Sequence, residues 1–84
     1  MVQIHYFASI REQLSTDQER LILPNDVTSI DELIQHLQSI NPKFRAMLTS
    51  NKKVLVAVNQ TIVDRDHKLL DDDEVAFFPP MTGG

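Results

Sequence analysis

Val2-Gln3-Ile4-His5-Tyr6 alternates apolar and polar side chains, the period-two pattern of a strand with one buried face. Ala8 to Leu14 follows with Ile10 and Leu14 at i, i+4, which predicts a short helix broken at Ser15-Thr16-Asp17. Arg20 to Leu23 reads as a second strand, closed by Pro24-Asn25-Asp26. The strongest local signal is Ser29-Ile30-Asp31-Glu32, a capping box with serine at the cap and glutamate three residues on. Ile30, Leu33, Ile34 and Leu37 then form one apolar stripe at i, i+3, i+4, i+7. Asn41-Pro42 stops that helix, and Phe44, Met47 and Leu48 predict a further helical turn packed beneath it. Val54 to Val58 is apolar on both parities, as an interior strand is. Asn59-Gln60 is a turn, Thr61-Ile62-Val63 a short β segment, and Asp71-Asp72-Asp73 leads into a last strand, Glu74 to Phe78. Pro79-Pro80 ends it, because proline has no N–H to give a ladder.

Two strands, a long helix and then further strands predict an α+β fold with a mixed sheet. The first and last strands lie side by side at its centre, parallel because a helix crosses between them. This is the β-grasp, or ubiquitin-like, architecture, expected over residues 1–80 as one domain with a short flexible tail at 81–84. One helix covers one face. If Ile4, Tyr6, Val56, Val75 and Phe77 point toward it, the opposite parity turns Phe7, Ala57, Ala76 and Phe78 outward. Two phenylalanines among small residues form either a docking patch or a surface that a loop covers.

Composition narrows the chemistry. Eighty-four residues, 42% of them apolar, suffice for one small core. The net charge of −4 and scattered Lys and Arg argue against nucleic acid, which needs a concentrated basic surface. Cysteine is absent, so neither a disulfide framework nor a thiolate metal site is available. The N-terminus lacks a basic region followed by an apolar run, and no stretch approaches membrane-spanning length, so a cytoplasmic chain without a membrane partner is expected. His5, His36 and His67 have no metal-ligand spacing. Asp64-Arg65-Asp66-His67 and Asp71 to Glu74 lack the glycine of a calcium loop and read as solvated turns. The side chains therefore present no catalytic constellation, no metal site and no bound cofactor.

Glycine alters that picture. At an average frequency of about 7%, roughly six glycines would be expected; the chain has two, and they are Gly83-Gly84, its last residues. Glycine lacks a Cβ and can pass through a channel that would reject any other residue. A terminal glycine carboxylate is also the least hindered carbonyl carbon a chain offers to a nucleophile. Met81 to Gly84 reach at most roughly 14 Å beyond Pro80 when extended, and Pro79-Pro80 stiffens the exit. The alternatives are a group carried on a protein tip into another protein's active site, or a disordered end.

Val58-Asn59-Gln60-Thr61 and Asp73 to Gly84, together with Tyr6-Phe7-Ala8 and Arg11-Glu12, closely resemble the small, sulfur-carrier subunits of molybdopterin synthase. The resemblance spans nearly the whole chain, and its most specific part is the ending Phe77-Phe78-Pro79-Pro80-Met81-Thr82-Gly83-Gly84. It implies that an E1-like activating enzyme adenylates the Gly84 carboxylate with ATP and that a sulfur donor converts it to a thiocarboxylate. The large synthase subunit then accepts the tail, and the thiocarboxylate passes sulfur to a cyclic pyranopterin precursor. Gly84 is thus the expected reacting residue, and Phe7, Phe78, Pro80, Met81, Thr82 and Gly83 are the expected partner contacts in a hetero-oligomer. The small subunit is expected to be a sulfur donor with no catalysis of its own. Carriers for thiazole synthesis or tRNA thiolation, ubiquitin-like modifiers and plain β-grasp binding modules remain alternatives on the terminus alone. Two turns depart from the family pattern: Ser15 and Asp72 stand where glycine is common.

Overall fold

The structure, a computed structural model, describes residues 1–50 and 53–80. In chain order the elements are β1 (Val2–Tyr6), α1 (Ala8–Leu14), β2 (Gln18–Leu21), α2 (Ile30–Ile40), α3 (Pro42–Ser50), β3 (Leu55–Val58), β4 (Thr61–Val63) and β5 (Glu74–Phe78). The strands form one sheet in the order β2-β1-β5-β3-β4. β1 and β5 are parallel, and every other pairing is antiparallel. This is the β-grasp arrangement, with the first and last strands adjacent at the centre.

Alternation sorts the sheet into two faces. Val2, Ile4 and Tyr6 on β1, Val75 and Phe77 on β5, and Val56 and Val58 on β3 enter the core with Ile30, Leu33, Ile34 and Leu37 of α2. Phe44 packs edge-on against Phe77, with ring centroids 5.5 Å apart, and Tyr6 stacks on Phe77 at 6.0 Å. Such aromatic contacts add to area burial. No polar or charged residue among those described is fully buried.

The capping box forms as the sequence predicts: the Glu32 amide donates to Ser29 Oγ at 3.2 Å, and Glu32 Oε1 accepts from both the Thr28 amide and hydroxyl. Those Thr28 bonds hold the Glu32 carboxyl below its ordinary range, the backbone amide contributing most.

Three boundaries differ from the sequence reading. The second strand is Gln18–Leu21, two residues earlier than Arg20 to Leu23. Its partner sets this: Val2 begins β1 and pairs with Leu21, so the ladder ends there and Ile22 and Leu23 lie beyond it. The helical turn expected around Phe44 is a nine-residue helix with Pro42 at its first position, where a missing N–H costs nothing. Asn41 Oδ1 accepts from the Lys43 amide at 3.0 Å and caps it. The strand expected from Val54 begins at Leu55, the residue that pairs with Phe78 at the end of β5.

The described chain turns without glycine, so other residues take left-handed backbone: Ala8, Ser15, Asn59, Gln60 and Asp72. Ser15, at φ 53°, closes α1, and its amide bonds to Glu12 O. Asn59 and Gln60, at φ 50° and 71°, make a two-residue hairpin turn whose twist matches the flanking strands. Asn59 is fixed further: its Nδ2 donates to Asp73, and its Oδ1 accepts from the Glu74 amide. Gln60 has no such bond among the described residues. Left-handed backbone costs an L-residue about 1–2 kcal/mol, part of which glycine's entropy returns. Gln60→Gly is therefore expected to raise unfolding stability by about 0.5–1 kcal/mol, read as a higher urea midpoint.

Tyr6 supplies a second test. Its hydroxyl donates to Glu19 Oε2 at 2.6 Å. Burial first, then the Glu19 bond and charge, push its ionisation far above the ordinary value of 10.0. The folded pKa lies above the unfolded one, so this contribution is intact below about pH 10 and is lost as pH rises past it. The chain has one tyrosine and no tryptophan, so phenolate absorbance reads this group alone. That absorbance should rise only with the loss of circular dichroism; ionisation near pH 10 in a folded chain would show that Tyr6 is not buried.

Candidate functional site

Met81, Thr82, Gly83 and Gly84, expected to enter a partner and react, lie outside the described residues. Their base lies within them. β5 runs beside β1 in parallel, with Tyr6 opposite Phe77, and the Phe7 amide donates to Phe77 O at 3.1 Å. This bond carries the ladder one residue past β1 and sets Phe7 beside the point where the chain leaves the sheet. The left-handed backbone of Ala8, φ 54°, then swings the chain into α1, and the Ile10 and Arg11 amides close on Phe7 O.

Phe7 is left 44% exposed, its ring centroid 5.8 Å from that of Phe78. Together with Ala8, Leu55, Ile62 and Pro79 they line an open apolar depression of about 550 Å³. Pro80 is exposed just beyond. The depression continues across the sheet into a second hollow of about 340 Å³, where His5, Ala57, Gln60, Glu74 and Ala76 join Phe7, Ile62 and Phe78. At its polar end the His5 ring lies over Phe7, centroids 6.4 Å apart and planes 20° from parallel, and His5 Nε2 is 3.8 Å from Glu74 Oε2.

The structure thus brings Phe7, Phe78 and Pro80 together at the exit. Phe7 and Ile62 are open to solvent, so no loop among the described residues covers the face. One outward residue needs correction: Ala57 lies on the outer face but is only 5% exposed, because larger neighbours crowd over its single methyl. Ile62, 57% exposed, was missed by the sequence reading, as were Leu55 and Pro79. The signal for Ile62 was its parity: Val63 pairs with Val56 of the inner face, which turns Ile62 outward opposite Ala57.

An exposed apolar face thus adjoins the point where Pro79-Pro80 leaves the sheet. Residues 4–84 match the model of the ThiS family. The chain belongs to that family. The molybdopterin synthase sulfur carrier subunit of Escherichia coli is 42% identical over 84 residues, covering 100% of both chains. Among solved structures, SAMP1 from Haloferax volcanii superposes with a TM-score of 0.79 at 20% identity, over 99% of this chain and 98% of that one. A complex of subunits 1 and 2 of the molybdopterin-converting factor from Helicobacter pylori contains a chain matching at TM-score 0.68 and 20% identity, over 99% and 97%. At these identities the two structures speak to the fold: the ThiS-family chain has the ubiquitin-like architecture.

The two faces should separate on mutation. Phe77→Ala is expected to cost about 3–5 kcal/mol of unfolding free energy, as truncations of buried aromatics do. Phe7→Ser should cost about 1 kcal/mol or less, since much of its ring is already in water. Equal losses in urea titrations would place Phe7 in the core.

Proposed function

We propose that this chain is the sulfur carrier of molybdopterin synthase, holding sulfur as a thiocarboxylate on Gly84. The observation that carries the reading is the end-to-end match with a relative of that name, in which the family model extends to Gly84 itself. The geometry supports it: Pro79-Pro80 leaves the sheet at the edge of an apolar face that a partner can cover.

The chemistry follows from the terminal group. A carboxylate is a poor electrophile until one oxygen becomes a good leaving group. Attack of the Gly84 carboxylate on the α-phosphorus of ATP, on an E1-like activating enzyme, releases pyrophosphate and leaves an acyl adenylate. A sulfur donor displaces AMP from the carbonyl carbon and leaves the thiocarboxylate. The synthase large subunit then takes the tail: Gly83 and Gly84 offer no Cβ to obstruct a channel, Thr82 and Met81 line its entrance, and Pro80, Phe78 and Phe7 seat the outer face. Sulfur passes to the pyranopterin precursor and the carboxylate returns. No side chain of this cysteine-free chain takes part in bond making, so the chain serves as a donor subunit and catalysis resides in its partners, in the cytoplasm where ATP is supplied.

Protein purified from cells with an intact pathway should contain a fraction heavier by one oxygen-to-sulfur exchange, localised to Gly84 by fragmentation. Deleting Gly84 should abolish sulfur transfer and leave thermal unfolding unchanged, because the core cluster is built from residues between Val2 and Phe77. Phe78→Asp should weaken the large-subunit complex about tenfold or more. If activating enzyme, ATP and a sulfur donor never add sulfur to the chain, the reading fails. Conjugates to lysines would mark a modifier instead, and co-purification with a thiazole synthase or a tRNA-thiolating enzyme a carrier for those pathways.

A further inference from the structure

The outer face has one feature that an apolar docking surface does not need. His5 sits on the central strand with its Nε2 atom shielded from solvent and without a hydrogen-bond partner among the described residues. A buried polar atom left unsatisfied is uncommon and costly. The polar atom facing it is Glu74 Oε2 at 3.8 Å, beyond hydrogen-bond length and within ion-pair range. Glu74 is 46% exposed, so water now solvates its carboxylate.

The surrounding groups limit what else can answer this pair. On β1 the outer-face neighbours of His5 are Gln3 and Phe7, and Phe7 holds the imidazole from the side. On β2, Gln18 lies opposite His5, and Arg20 and Glu19 line the adjoining hollow with Gln3. Glu19 is engaged by the Tyr6 hydroxyl. On β5 the facing groups are Glu74, Ala76 and Phe78, and β3 and β4 contribute Ala57, Gln60 and Ile62. Among the described residues, Glu74 is the one carboxylate lining this hollow, and no Lys or Arg lines it.

We infer that His5 and Glu74 form a proton-linked latch within the docking face, neutral at His5 in the free chain and an ion pair when the large subunit covers it. The inference rests on the docking role proposed above. A partner laid over Phe7, Ile62 and Phe78 strips water from Glu74 beside them. An ionised carboxylate so covered is costly unless it is paired, and attraction between paired charges grows as the local dielectric falls. A proton taken from solvent onto His5 Nε2 supplies both the charge and the donor that this atom lacks. Closing 3.8 Å to hydrogen-bond length needs a side-chain adjustment of about 1 Å. Histidine side chains ordinarily change charge near neutral pH, which sets the pH range of the test. Docking thereby acquires a polar register mark at the polar end of the apolar face, which fixes orientation as well as area.

The experiment is titration calorimetry of the full-length chain with the large subunit of its own synthase, between pH 6 and 8 in two buffers of different ionisation enthalpy. The expected result is uptake of up to one proton on binding and affinity rising toward pH 6, by at most tenfold per pH unit for one linked proton. Glu74→Gln and His5→Gln should each abolish the uptake and flatten the pH profile, with thermal unfolding confirming that both variants fold. Buffer-independent heats with a flat profile in the unaltered chain overturn the latch while leaving the carrier reading intact, and so does uptake that persists in both variants. Absence of any complex at every pH overturns the latch and the docking role together.

Discussion

Parallel pairing of β1 with β5 is the constraint on which the rest depends. It joins the first and last strands across some seventy residues of sequence, with Ile4 opposite Val75 and Tyr6 opposite Phe77. A contact that distant closes almost the whole chain into one loop, and the closure is entropically costly. The aromatic cluster of Tyr6, Phe44 and Phe77 offsets that cost on the inner face. The same register decides the outer face. Once Tyr6 and Phe77 point inward, His5 and Phe7 must point outward beside Ala76 and Phe78.

Function therefore follows from a packing decision. The large inner residues fix the strand register, and the register delivers Phe7 to Phe78 at the point where Pro79-Pro80 carries the chain away. A slip of one residue would bury the outer phenylalanines and expose the core. In this ubiquitin-like scaffold the last strand is central, so the chain leaves the sheet from a point that the core packing fixes.

The chain also shows how a fold common in glycine-turned form can be built without them. Among the described residues, five non-glycine positions take left-handed backbone, and at two of them local bonds compensate. Asn59 is held by Asp73 and Glu74, and Ser15 by its amide bond to the first helix. Glycine occurs in the sequence only as Gly83-Gly84, so none of the turns of the domain draws on it.

Much of this was legible in residue order. The capping box and the Ile30, Leu33, Ile34, Leu37 stripe determined α2, because cap chemistry and helical period are local. Alternation in Val2 to Tyr6 and Glu74 to Phe78 determined which side chains share a face, because strand period is local too. The terminal motif carried the resemblance to the family that the chain matches over residues 4–84. Tertiary structure decided what depends on partners distant in sequence. β2 begins at Gln18 because β1 is its template, and propensity at Arg20 to Leu23 carries no trace of that. Ala57 is covered by neighbours no local pattern places, while Ile62 completes the apolar depression through its pairing with β3. His5 and Glu74 meet only because β1 and β5 lie side by side. Sixty-nine positions separate them in the sequence, and no periodicity links two residues so far apart.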